Sequence, residues 1–130
     1  MNSLDDKPAN VAVALDLIDR AAAGGARLVA LPEIWPFFGD DSSSRENAET
    51  IPGPLTDVLA DRAVRHGIYL HAGTWQEARP GDPRMYNTAV VFSPSGEIIG
   101  KYSKIRCSTS KSTGWLRTVN RRRLLRVMRS

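Results

Sequence analysis

The chain has little cysteine, no long apolar run and, in its last part, no acid at all, and each absence excludes something. A single cysteine, Cys107, forms no internal disulfide, which fits a reducing compartment. Nowhere do apolar residues approach the roughly 18 in a row that a membrane span needs, and the opening MNSLDDKPAN lacks the basic start and apolar stretch of a secretion signal. A cytoplasmic location without membrane contact is therefore expected. The 130 residues, 42% hydrophobic and 25% charged, suit one globular domain. The net charge of +4 and pI near 9.6 point to a nucleic-acid partner only until the charges are placed. Residues 1–97 hold all 14 acids and 8 of the 18 Lys and Arg, a balance of −6, while residues 98–130 hold the other 10 and no acid, a balance of +10. An acidic body carries a basic tail, and the pI describes the tail.

No internal repeat organises the body, so its elements are read one at a time. From Lys7 to Ala23, Val11, Ala14, Leu15, Ile18, Ala21 and Ala22 recur every three or four residues and define one helix face. Asp5 and Asp6 are candidate caps, Pro8 is tolerated in a first turn, and Gly24-Gly25 supply a left-handed stop. Leu28 to Leu31 form an unbroken apolar run, the pattern of a parallel strand covered on both faces, and Pro32 ends it. PFFGDDSSSRENAETIPG, residues 36–53, has no clear period and reads as a long surface loop. A second helix opens at Pro54, carries Leu55, Val58, Leu59, Ala60 and Ala63 on its apolar side and closes at Gly67. IYLHAG, residues 68–73, is the next strand. Tyr86 to Phe92 and Glu97 to Tyr102 pair as a hairpin across Ser93-Pro94-Ser95-Gly96. The order helix, strand, helix, strand, hairpin indicates an α/β layered domain with helices covering a sheet.

Chemistry in such domains gathers beyond the carboxyl ends of the strands, where loops diverge. Glu33 stands there. It reads either as a solvated loop glutamate or, with Leu31, Ile34, Trp35 and Phe37 around it, as a desolvated carboxylate of raised pKa able to take and return a proton. In GKYSKIRC, Lys101 and Lys104 are three apart and point to opposite faces of a continuing strand, so at most one faces a site. Either lysine also reads as an ordinary solvated residue. His66 and His71 have no third ligand at a recognisable spacing, so neither a metal nor another cofactor is indicated. Trp35, Phe37 and Phe38 read as core or as the wall of a pocket.

GARLVALPEIW, the hairpin MYNTAVVFSPSGEIIGKY and the following SKI together resemble the first half of the nitrilase, or carbon-nitrogen hydrolase, superfamily. That family has a glutamate in an LPE motif after an apolar strand, a Y-N-T strand leading through an S-G-E turn to G-K-Y, and a lysine shortly after. The matches run in order over about residues 2–105. The resemblance implies an αββα sandwich, a small amide or nitrile as substrate, and a Cys-Glu-Lys mechanism. Glu33 matches the general base and Lys104 the lysine that stabilises the tetrahedral intermediate. It implies equally that the family's first strand, its C-terminal half and its nucleophilic cysteine are missing here. Cys107 stands where the family has the leucine of K-x-H-L, within Lys104-Ile105-Arg106-Cys107, and is not expected to replace that nucleophile.

The chain is therefore expected to be a truncated, inactive half-domain over residues 1–105, with open strand edges that favour association or homo-oligomers. Residues 106–130, RCSTSKSTGWLRTVNRRRLLRVMRS, read as a basic tail unrelated to the fold. On a helical wheel its apolar residues and arginines mix all round, so neither a membrane helix nor a partner helix is favoured, and nucleic acid is an unlikely partner. The alternative functional reading is a non-catalytic binding or interaction fragment whose basic tail contacts nucleic acid.

Overall fold

The computed structural model describes Met1 and residues 3–104. The expectations for Cys107 and for the basic tail lie outside the described residues. Seven elements follow in order: α1 (Lys7–Ala23), β1 (Leu28–Ala30), α2 (Asp41–Asn47), α3 (Pro54–His66), β2 (Tyr69–Arg79), β3 (Asp82–Phe92) and β4 (Ile98–Lys104).

Helix α1 has the bounds its periodicity predicts. Of the two candidate caps Asp6 is used: its side chain accepts the Ala9 N–H at 3.0 Å, which leaves one fewer unpaired donor in the first turn. Gly25, at φ +91°, takes the left-handed position after the helix. Helix α3 starts on Pro54, with the Thr56 hydroxyl accepting the Gly53 N–H at 2.7 Å, and ends on left-handed Gly67. Its inner face is Leu55, Thr56, Leu59 and Ala63, whereas Val58 is exposed. Leu55, Leu59 and Ala63 lie four apart and stack in one stripe, and Val58 falls to its side.

The four strands form one sheet in the order β1-β2-β3-β4, with β1 parallel to β2 and the other neighbours antiparallel. Ala14 and Ile18 of α1, Leu59 and Ala63 of α3, and Leu70, Trp75, Val90 and Phe92 of the sheet make the core. Three expectations need correction. Strand β1 is covered on one face only: Val29 is buried but Leu28 is 63% exposed, because among the described residues nothing lies over the other face. The stretch 36–53 is not all loop, since Asp40 caps α2 by accepting the Ser43 N–H at 2.8 Å. A seven-residue helix burying only Ser44 leaves no apolar period to read. Strand β2 runs on to Arg79 and turns at Gly81, φ +77°, into a β3 that starts four residues before Tyr86. The prolines and glycine of residues 80–83 mask that hairpin.

Register sorts the side chains of the sheet, because directly opposed residues share a face. Trp75 opposes Thr88, which opposes Ser103; Glu77 opposes Tyr86; and Val90 opposes Lys101. These share the face that packs on the helices. Gln76, Asn87 and Lys104 form one opposed row on the other face.

Candidate active site

Glu33 is presented by a short segment pinned on both sides. Upstream, Leu31 is buried and its N–H donates to the His71 carbonyl at 2.9 Å, which extends the β1–β2 pairing. Downstream, Trp35 is fully buried and its indole N–H donates to the Ala72 carbonyl at 2.8 Å. Between them the Ile34 N–H donates to the Thr74 hydroxyl at 2.9 Å, and the Thr74 N–H to the Pro32 carbonyl at 3.2 Å. Ile34 has φ +49°, a conformation that β-branched residues rarely adopt, so packing holds the turn rather than local preference.

Gly73 makes this arrangement possible. It lies at a register irregularity of β2 between His71 and Thr74, with φ +65°. A Cβ there would sit 2.0 Å from the Pro32 carbonyl oxygen and 2.8 Å from the Trp35 ring. The LPE segment can pass this close to β2 only over a residue without a side chain.

From this turn Glu33 meets two residues of other strands at one oxygen. Lys104 Nζ of β4 donates to its Oε1 at 2.5 Å, and Asn87 Nδ2 of β3 donates to the same atom at 2.9 Å. The pair joins positions 71 residues apart in sequence. It is open to solvent, with side-chain exposures of 50% for Lys104 and 56% for Glu33. The Lys104 ammonium, by its hydrogen bond and its charge, and the Asn87 amide hold the Glu33 carboxyl below the usual glutamate range. The raised pKa expected from apolar neighbours is thus corrected: Leu31 and Trp35 turn into the core while the exposed carboxylate faces a cation.

The two lysines of β4 diverge as their spacing requires. Lys104 reaches Glu33, and Lys101 passes to the helix face, where its Nζ donates to Glu77 Oε1 at 2.6 Å. Trp35 belongs to the core. Phe37 and Phe38, with Ile34, Gln76 and Met85, do line a groove of about 180 Å³ beside the Glu33 turn. His66 and His71 sit apart: His66 Nε2 is 2.7 Å from Asp19 Oδ1, tying α3 to α1, and His71 Nδ1 accepts the Gly73 N–H at 3.2 Å. Among the described residues no group of three His, Cys, Asp or Glu could hold a metal, and no helix is long and apolar enough to cross a membrane.

A carboxylate and an ammonium meeting at the carboxyl end of a strand, on a sheet with this order, can be compared with known proteins. The family model described as carbon-nitrogen hydrolase matches residues 1–123. The chain belongs to the carbon-nitrogen hydrolase family. The match continues past residue 105, where the resemblance read from motifs stops. Among curated relatives, nitrilase homolog 2 of Dictyostelium discoideum is 35% identical over 101 residues, covering 78% of this chain and 31% of the relative. Omega-amidase NIT2 of Homo sapiens is 39% identical over 99 residues, covering 76% and 35%. The chain thus spans about a third of the length of these relatives. Among solved structures, Saccharomyces cerevisiae Nit3 of the nitrilase superfamily superposes with a TM-score of 0.72 at 29% identity, covering 81% of this chain and 41% of that one. The C. elegans NitFhit protein superposes with a TM-score of 0.75 at 23% identity, covering 92% and 30%, a likeness of fold. The α/β fold is therefore that of the family, present in part.

Motif reading gave no role to Asn87, although the Y-N-T match contains it. Its signal was its place one residue from the strand's buried Tyr86 and Thr88, hence on the opposite face. Glu77 and Gly73 carry no motif and became visible only through their contacts.

Proposed function

We propose that Glu33 and Lys104 are the general base and the oxyanion-stabilising cation of an amide-hydrolysing carbon-nitrogen hydrolase site. The observation that carries this is the 2.5 Å contact between them at the carboxyl end of β1. In the reaction the Glu33 carboxylate takes the proton of a cysteine thiol, and the thiolate attacks the amide carbon. The Lys104 ammonium faces the oxygen on which negative charge develops. Collapse expels the amine with the proton held by Glu33, and Glu33 then deprotonates the water that opens the thioester. The carboxylate is ionised at neutral pH and can accept the thiol proton, and the Lys104 contact that lowers its pKa weakens it as a base until that contact is shared with substrate. The similarity to omega-amidases supports an amide as substrate.

A thiol nucleophile is the remaining part of such a site. Cys107, three residues beyond Lys104, lies outside the described residues, and its place in the sequence does not match that of the family's nucleophile. The isolated 130-residue polypeptide is accordingly read as inactive alone. Ammonia release from a small aliphatic amide, abolished by Cys107→Ser, would overturn that part. The roles of Glu33 and Lys104 are tested by a chimera in which residues 27–104 replace the matching segment of human omega-amidase NIT2. Hydrolysis that falls about 10²- to 10⁴-fold with Glu33→Gln or Lys104→Met supports the roles. Hydrolysis indifferent to both refutes them. Exposed Leu28, Tyr69 and Tyr102 and the sheet edges β1 and β4 support association with further copies of the chain.

A further inference from the structure

Glu77 is a charged residue that the mechanism does not use, yet it is 1% exposed and is gripped from three strands. On β4, Lys101 Nζ donates to its Oε1 at 2.6 Å. On β3, the Thr88 hydroxyl donates to its Oε2 at 2.7 Å. On its own strand β2, Arg79 Nη2 donates to Oε2 at 2.9 Å and also to the Ser103 hydroxyl of β4 at 2.7 Å. Arg79 is itself held over the Tyr86 ring, 3.8 Å from its centre. The carboxylate therefore binds β4 to β2 across the intervening β3.

The strand it holds lies at one edge of the sheet. β4 is an edge strand with one backbone partner, and it carries two lysines on opposite faces. A one-residue slip of β4 on β3 would exchange the faces of all its side chains, turning Lys104 away from Glu33 and Lys101 out of the core side. The backbone hydrogen bonds of a slipped ladder are equivalent to those of the native one, so side chains have to discriminate. Along most of β4 they discriminate weakly: Ile98, Ile99, Lys101, Tyr102 and Lys104 are exposed. A buried carboxylate that accepts from Lys101 and, through Arg79, engages Ser103 does discriminate, because a slip would leave it in the core without its lysine.

We propose that Glu77 is a positioning residue: by capturing Lys101 and Ser103 on the helix face it fixes the register of β4 and so selects Lys104 as the lysine that meets Glu33 on the other face. The inference rests on the Glu33–Lys104 reading and extends it to a buried site one strand layer away. It assigns Glu77 no contact with substrate.

The test follows the Glu33 carboxyl resonance by ¹³C NMR titration in the full chain, with circular dichroism to select folded variants. Lys104→Met is the reference and raises the Glu33 midpoint toward the ordinary value by removing its cation. Glu77→Gln keeps the shape and part of the hydrogen bonding but drops the charge that holds Lys101, and Lys101→Met removes the same pair while leaving Glu77 to Arg79, Thr88 and Ser103. Both are expected to raise the Glu33 midpoint in the same direction as Lys104→Met while the fold persists. If Glu77→Gln fails to fold, Lys101→Met decides. Folded variants with an unmoved Glu33 midpoint and only a lower melting temperature overturn the positioning role. A Glu33 midpoint unmoved even by Lys104→Met overturns the Glu33–Lys104 pairing instead, so the two failures are distinct.

Discussion

Replacing Gly73 with alanine tests whether the close passage of the LPE segment over β2 is what presents Glu33. Two costs add. The residue sits at φ +65°, where a side chain costs about 1–2 kcal/mol. The new methyl would lie 2.0 Å from the Pro32 carbonyl oxygen and 2.9 Å from that of Leu31, both backbone atoms that cannot swing aside. Overpacking of this kind costs about 1–3 kcal/mol. The sum, about 2–5 kcal/mol, is a large share of the 5–15 kcal/mol typical of a folded domain. Gly81→Ala separates the two costs, since Gly81 has φ +77° but nothing within 4 Å of an added Cβ. The assay is urea unfolding of both variants at one fixed protein concentration, followed by Trp fluorescence. Gly73→Ala is expected to be less stable than Gly81→Ala by about 1–3 kcal/mol, and its surviving folded fraction to show a displaced Glu33 carboxyl resonance. Equal losses in the two variants, or an undisturbed Glu33, would refute the argument that the LPE turn depends on a missing side chain.

Trp35→Phe loses the indole hydrogen bond to the Ala72 carbonyl and Trp35→Ala also leaves a large cavity, so losses of about 1–3 and 3–5 kcal/mol are expected, measured by the same unfolding. Burial alone would push the Glu77 carboxyl up, but hydrogen bonds from Arg79, Lys101 and Thr88 outweigh it and hold the group at about 2. Its folded-state pKa is depressed, so its stabilisation is complete above the unfolded value of about 4.3 and is lost as pH falls from there toward 2. Acid unfolding of Glu77→Gln is expected to be flatter over that window than that of the parent, and identical acid profiles would contradict the ion pairing. Size-exclusion chromatography at micromolar concentration is expected to show association through the exposed apolar sheet face. A monomer that melts cooperatively would count against it.

How far the sequence could be read follows from the range of the forces involved. Helices α1 and α3 were legible to within a residue because their signals are local: apolar spacing of three and four, an aspartate cap, a proline at the start and a glycine at the stop. The parallel β1 and the β3–β4 hairpin were legible from composition and turn residues. Helix α2 was not, because a short polar helix held by one cap has no apolar stripe. The extension of β2 was not, because its face alternation is broken at Gly73 and it buries residues on both sides.

The candidate site divides in the same way. Sequence by itself determined the residue types, the LPE turn at a strand end and, from a spacing of three, that Lys101 and Lys104 must part to opposite faces. Only the tertiary structure decided that Lys104 is the one facing Glu33, that Asn87 joins them, that the carboxylate is lowered rather than raised in pKa, and that Glu77 lies beneath β4. The physical reason is that pKa and strand register are set by groups brought together across the sheet from positions 54 and 71 residues away, and no local pattern encodes such an encounter.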